Sequence, residues 1–140
     1  ALKPEFHDYC VQVIRNAQTL AKSLQEKWFI IVSGGTDNHI VLVDVFGSIG
    51  VTGKQAEKAL EEVGLSVNKN MVPYDVRKPL DPSGIRIGTP AATTRGMKEP
   101  QMQEIAEIFS QALRNHENSE VLEQLKEQVK ILCKNFPLYS

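Results

Sequence analysis

A strand that only has to pack does not place an arginine in its middle. One stands in the stretch PSGIRIGTPAATTRG, which runs from Pro82 to Gly96. In an extended segment side chains alternate, so Ile85 and Ile87 point one way and Arg86 the other. Gly84 and Gly88 carry no side chains, which lets something approach the backbone closely. Thr89 adds a hydroxyl. A guanidinium presents paired planar donors that match a carboxylate or a phosphate. The residue pattern therefore admits three readings of Arg86: an anion clamp, a surface arginine on an edge strand, or a partner of Asp44 or Asp75 in an internal salt bridge.

Other residues able to do chemistry are scattered. Arg95 follows TPAATT and precedes Gly96, where the pattern reads as a solvated arginine at a turn. Asn68, Lys69 and Asn70 form VNKN at a strand end. Asparagine there suits a turn, and its amide can also read a heterocycle edge with one donor and one acceptor. Lys69 as a Schiff-base lysine would need burial or neighbouring cations to lower its pKa, and nothing near it in sequence supplies them. His7, His39 and His116 lie far apart. No serine or cysteine has a recognisable base and orienting partner, so a nucleophilic triad is a poor reading. Gly34 and Gly35 do not make a phosphate loop, because their loop leads into a second strand rather than a helix N-terminus. Cys10 and Cys133 both fall in helical patterns and read as buried reduced thiols of a cytoplasmic protein. No Cys/His spacing suits zinc, and no metal is expected.

The elements that must position these residues follow from periodicity. Phe6, Tyr9, Cys10, Val13, Ile14, Ala17, Leu20, Ala21 and Leu24 recur at steps of three and four, which predicts a helix over about 4–26 with Pro4 in its first turn. WFIIV (Trp28–Val32) and HIVLVDV (His39–Val45) predict two strands of an antiparallel hairpin around SGGTDN. Thr52 and Gln55 form a capping box, Val51 and Ala56 flank it, and Gly64 closes the helix whose stripe is Ala56, Ala59, Leu60 and Val63. A brief strand is expected at 65–68, then an ordered proline-rich loop, then a strand at 85–88. Helices are expected at about 100–115 and 119–134, followed by a terminal tail. This order gives an α+β domain: a small, largely antiparallel sheet with helices packed against it.

Bulk composition agrees. The chain of 140 residues is 41% hydrophobic and 24% charged, with a formal net charge of −1. One domain is expected, without a basic field for nucleic acid or anionic lipid and without a membrane span. It divides into an entry helix (1–27), a middle with the sheet, capped helix and site loop (28–97), and terminal helices (98–140). The absence of an initiator methionine ahead of a helix that starts almost at once suggests a piece of a longer chain.

Four segments taken together resemble serine hydroxymethyltransferase. They are VSGGTDNHIVLVDV, GVTGKQAEKALEEVGLSVNKNMVP, SGIRIGTPAATTRG with MKEPQMQEIAEI, and CKNFPLY. In order and spacing they look like that family's C-terminal small domain, and the resemblance covers essentially the whole chain. It implies the small domain of a fold-type I pyridoxal-phosphate enzyme, a cytoplasmic homodimer. That enzyme interconverts serine and glycine with tetrahydrofolate and methylenetetrahydrofolate. It further implies that Arg86 pairs with the amino-acid carboxylate, that Asn70 contacts the folate ring system, and that Arg95 lies near the active site. The family holds pyridoxal phosphate on a lysine in a threonine-rich segment of the large domain. No such Thr-His-Lys segment occurs here, and Lys69 is not that lysine, so these residues alone are expected to be inactive and to contribute no catalytic group. Two departures stand out: Pro82 precedes SGIR where the family often has threonine, and Val76 sits where DPR is common. The alternative is a standalone, non-catalytic module binding an amino acid or a folate-like acid through the same arginine.

Overall fold

The computed structural model describes residues 4–32, 40–88, 93 and 95–136. The connecting loop 33–39 with His39, the segment 89–92 with Thr89, and the tail 137–140 lie outside the described residues.

The periodic stripe at the start of the chain forms α1 (Pro4–Glu26). It buries Val13, Ala17, Leu20, Ala21 and Leu24 and carries a buried Asn16 among them. The helix closes in a Schellman-type turn. The Phe29 amide donates to the Leu24 carbonyl and the Trp28 amide to the Gln25 carbonyl, each at 3.0 Å. That geometry needs a left-handed residue one step past the cap, a place that favours glycine. Here Trp28 occupies it with φ 73°. This corrects the expected strand Trp28–Val32: the turn consumes its first two residues, and β1 is only Ile30–Ile31.

β2 (Ile40–Asp44) pairs antiparallel with β1, as the hairpin reading expects. It ends one residue early, because the Asp44 carboxylate accepts from the Gly47 amide at 2.8 Å and caps a short helix, α2 (Val45–Ile49). At five residues α2 is too short for an apolar period to be read from the sequence. The capping box then forms as expected: the Gln55 amide donates to Thr52 Oγ1 at 3.2 Å and the Thr52 amide to Gln55 Oε1 at 3.0 Å. It starts α3 (Gly53–Val63), which buries Ala56, Ala59, Leu60 and Val63 and ends at left-handed Gly64.

The third strand lies later than expected. The Leu65 amide closes the end of α3 on the Leu60 carbonyl at 2.8 Å. Residues 65–67 then cross to the sheet, and β3 is Asn68–Asn70. β4 (Gly84–Gly88) lies between β2 and β3, so the antiparallel order is β1-β2-β4-β3. The last two helices, α4 (Glu99–Arg114) and α5 (Ser119–Asn135), match the sequence expectation to within a residue.

The five helices of the described residues serve one core. Val41, Val43, Ile85 and Ile87 of the sheet join Leu20, Leu24, Leu60, Phe109, Leu113 and Leu125 in it. α1 runs along α4. Phe29 meets Phe109 edge-on with centroids 5.2 Å apart, and Arg114 lies over Phe29 while donating to the Lys27 carbonyl at 2.7 Å. Among the described residues no helix is long and apolar enough to cross a membrane.

Trp28 is 83% exposed, so its ring contributes little packing while its backbone sits where L-residues are strained. Trp28→Gly should stabilise the chain by roughly 0.5–1 kcal/mol, the relief of left-handed strain less the entropy cost of glycine. A melting temperature raised relative to wild type checks it; a lowered one would show that the indole packs usefully.

Candidate functional site

The strand alternation divides the sheet into two chemically different faces. Val41, Val43, Ile85 and Ile87 point to the helices and are buried. The other face carries Ile40, Leu42 and Asp44 from β2, Gly84, Arg86 and Gly88 from β4, and Asn68 and Asn70 from β3, all exposed or half-exposed except Gly84. The register sets Arg86 between Leu42 and Asn68, with Asn70 opposite Gly84. Arg86 and Asn70 are thus diagonal neighbours on one face, with Cβ atoms roughly 7 Å apart.

Arg86 is exposed, and its guanidinium makes no ion pair or hydrogen bond among the described residues. Both acids that could have neutralised it are used elsewhere. Asp44 caps α2. Asp75 organises the loop between β3 and β4: it accepts from the Ser83 hydroxyl at 2.6 Å, the Ser83 amide at 2.9 Å, the Arg77 amide at 2.9 Å and the Val72 amide at 3.3 Å. The internal salt bridge is therefore not made, and the fork has no acidic partner among the described residues of this sheet face. Asn70 Nδ2 donates to the Met71 carbonyl at 2.8 Å, and its Oδ1 has no partner among the described residues.

The start of β4 is held from several sides. The Gly53 amide donates to the Pro82 carbonyl at 2.7 Å and the Phe46 amide to the Ser83 carbonyl at 3.1 Å. Asp81 accepts from the Lys54 amide at 3.0 Å and pairs with Arg77 at 3.0 Å, while Arg77 also lies 4.9 Å above the Phe46 ring. Burial pushes the Asp81 carboxyl up, but the Thr52 hydroxyl, the Lys54 amide and Arg77 outweigh it and lower its pKa. Gly84 admits no side chain: a Cβ there would lie 2.6 Å from the Asn70 carbonyl oxygen and 2.8 Å from Val72 Cγ1. What approaches the backbone at Gly84 is therefore the neighbouring strand.

Lys69 faces Ile85 in the register and so belongs to the helix side, away from Arg86. Its amide donates to Glu57 Oε2 at 2.9 Å, which covers part of the outer edge of β3. Arg95 is also turned from the open face. Its Nη1 donates to the Phe136 carbonyl at 3.2 Å beyond the end of α5, and it lines a cavity together with Ile87 and Phe109. The fold brings Arg86 and Asn70 together and sets Arg95 apart from them. Sequence reasoning misses Asn68 and Leu42 as the flanks of Arg86. It also misses Asp75 as the loop's organiser, although an aspartate two residues before an amide donor is a recognisable turn signal.

Segment 93–97, which follows β4, is tied back to α1. Asn16 Nδ2 donates to Thr93 Oγ1 at 2.8 Å and to the Met97 carbonyl at 3.0 Å. Gln12 supports Asn16 from one turn earlier at 2.9 Å and also bonds Glu99. Among the described residues there is no group of histidine, cysteine, aspartate and glutamate that could hold a metal ion.

Burial pushes the Asp75 carboxyl up, but the Ser83 hydroxyl and the Ser83, Arg77 and Val72 amides outweigh it, and its pKa falls from 3.8 to about 2. A depressed folded-state pKa contributes stability that is present above the unfolded value and is lost as pH falls through the folded one. Wild type should therefore lose this contribution between about pH 4 and pH 2. Asp75→Asn should be less stable at neutral pH and show a shallower decline across that window. Parallel acid slopes in chemical denaturation of the two proteins would remove Asp75 from this role.

A family model described as serine hydroxymethyltransferase matches residues 1–109 of the chain.

Proposed function

The chain belongs to the serine hydroxymethyltransferase family, and we propose that these residues are the C-terminal small domain of such an enzyme. In this reading the domain presents Arg86 to the carboxylate of serine or glycine and Asn70 to the ring system of tetrahydrofolate. The observation that supports it is an arginine without a partner among the described residues, on an open sheet face shared with Asn70. A planar fork can engage both oxygens of a carboxylate, which fixes the amino acid's orientation as well as its charge. The free Oδ1 of Asn70 can accept from a ring N–H, and its amide group can donate. Arg95, held at the end of α5, is assigned no contact with substrate.

The described residues do not fit pyridoxal phosphate. Lys69 faces the helix side of the sheet, and neither Arg86 nor Asn70 supplies a lysine anchor. The cofactor supplies the electron sink of the reaction, and we assign its binding to a larger domain of the same polypeptide. A homodimer and a cytoplasmic setting belong to this proposal, with serine, glycine and the folates as its small-molecule partners. By themselves these 140 residues are proposed to be inactive.

In the full-length enzyme, Arg86→Lys should lower kcat/KM for serine by about tenfold to a hundredfold, because a point charge cannot reproduce the fork. The melting temperature should stay unchanged, since the guanidinium makes no hydrogen bond or ion pair among the described residues. An unchanged Michaelis constant for serine would refute the role. The 140-residue chain given serine, tetrahydrofolate and pyridoxal phosphate should form no glycine above an enzyme-free control. Measurable turnover would overturn its inactivity. The standalone-module reading rests on the same exposed arginine. Calorimetric binding of serine, glycine or a folate to the isolated chain would support it, and silence would support a half-site.

A further inference from the structure

On the helix side of the sheet, away from Arg86, lies a cavity of about 260 Å³. The turn after α3, β4, α4 and α5 all contribute to it. Its walls are apolar and buried: Val67, Ile87, Phe109, Val129 and Leu132. Its rim is exposed at Gly64, Ser66 and Gly88, so it opens to solvent. Among the described residues one charged side chain lines it, Arg95, and no carboxylate does. Arg95 is half-buried and makes one hydrogen bond among the described residues, to the neutral Phe136 carbonyl, and no ion pair.

A guanidinium has five donors, and a half-buried cation is costly unless it is paired. An apolar chamber with a single cation and no acid is complementary to a ligand with an apolar body and one anionic end. Size narrows the class. A cavity of roughly 150 Å³ holds a ring of six heavy atoms, so this one has room for about ten. A phosphate would waste the apolar walls, and a dicarboxylate would bury a second charge with no partner.

We infer that this cavity is a binding site for a medium-chain monocarboxylate, its hydrocarbon against Ile87, Phe109 and Leu132 and its carboxylate on Arg95. The site lies across the sheet from Arg86 and does not depend on what Arg86 binds. Cys133, half-buried in the lining, provides a local reporter.

The test is the rate of Cys133 alkylation by iodoacetamide in the full-length protein, followed peptide by peptide in a mass spectrometer, with octanoate as the probe. Octanoate should slow alkylation at Cys133 by at least about threefold, saturating in the millimolar range expected for some ten heavy atoms, and leave Cys10 unaffected. Octanol, which lacks the charge, should protect only at about tenfold higher concentration. Arg95→Gln should shift the octanoate curve to that same weaker range, while Arg95→Lys should fall between. Ile105→Trp fills the chamber without touching the charge and should abolish protection, which keeps the test decisive if Arg95 variants fold poorly. Equal protection by octanoate and octanol, or none by octanoate, would overturn the site.

Discussion

Four hydrogen bonds to the carboxylate of Asp75 organise the part of this domain that carries the candidate site. They gather Val72, Arg77 and Ser83 around one charge and turn a proline-rich connection into a fixed one. The same carboxylate thereby sets where β4 begins, because Ser83 immediately precedes it. Gly53 and Phe46 grip the same point from the other side through the Pro82 and Ser83 carbonyls. Arg86 comes two residues after Gly84, too short a distance for uncertainty at the start of the strand to be absorbed before the guanidinium. The aspartate that orders the loop is thus unavailable to Arg86. Positioning the arginine and withholding this acid from it are one and the same arrangement.

The sheet extends this economy. A strand offers two faces at no extra cost, because successive side chains alternate. Ile85 and Ile87 fasten β4 to the helical layer, and that attachment obliges the intervening Arg86 to face outward. β3 obeys the same rule, sending Lys69 inward and the two asparagines outward. The core therefore determines the site's geometry without contacting any ligand. Gly84 brings the two strands' backbones so close that Asn70 stands beside the arginine.

How much of this is legible in the sequence depends on how local each signal is. α3 is legible in full, since Thr52, Gln55 and Gly64 specify its ends and a four-residue stripe its face. The direction of Arg86 follows from alternation alone. The turn at Trp28 is illegible, because a tryptophan in a strand-favouring run gives no sign that tertiary closure will place it left-handed. α2, at five residues, is too short to show a period. β3 slips by three residues because the crossing from helix layer to sheet uses up Leu65 to Val67, a length set by three-dimensional spacing. At the site, the choice of Asp75 for Ser83 rather than for Arg86 depends on how the loop closes. The side of the sheet taken by Arg95 depends on α5, about forty residues further along.

Asn16 carries a consequence for the order of folding. It lies in the first helix, yet its buried amide is satisfied by residues 77 and 81 positions downstream. During synthesis α1 would emerge with an apolar stripe and, on Asn16, an NH2 group whose two acceptors do not yet exist, although Gln12 already meets its Oδ1. The helix can form early by its own periodicity, but docking it would bury an unpaired amide until Thr93 and Met97 arrive. A requirement so distant in sequence makes the domain's closure late and cooperative. It also makes the segment that follows β4 the latch on the whole fold, so that completion of the candidate site and completion of the domain coincide.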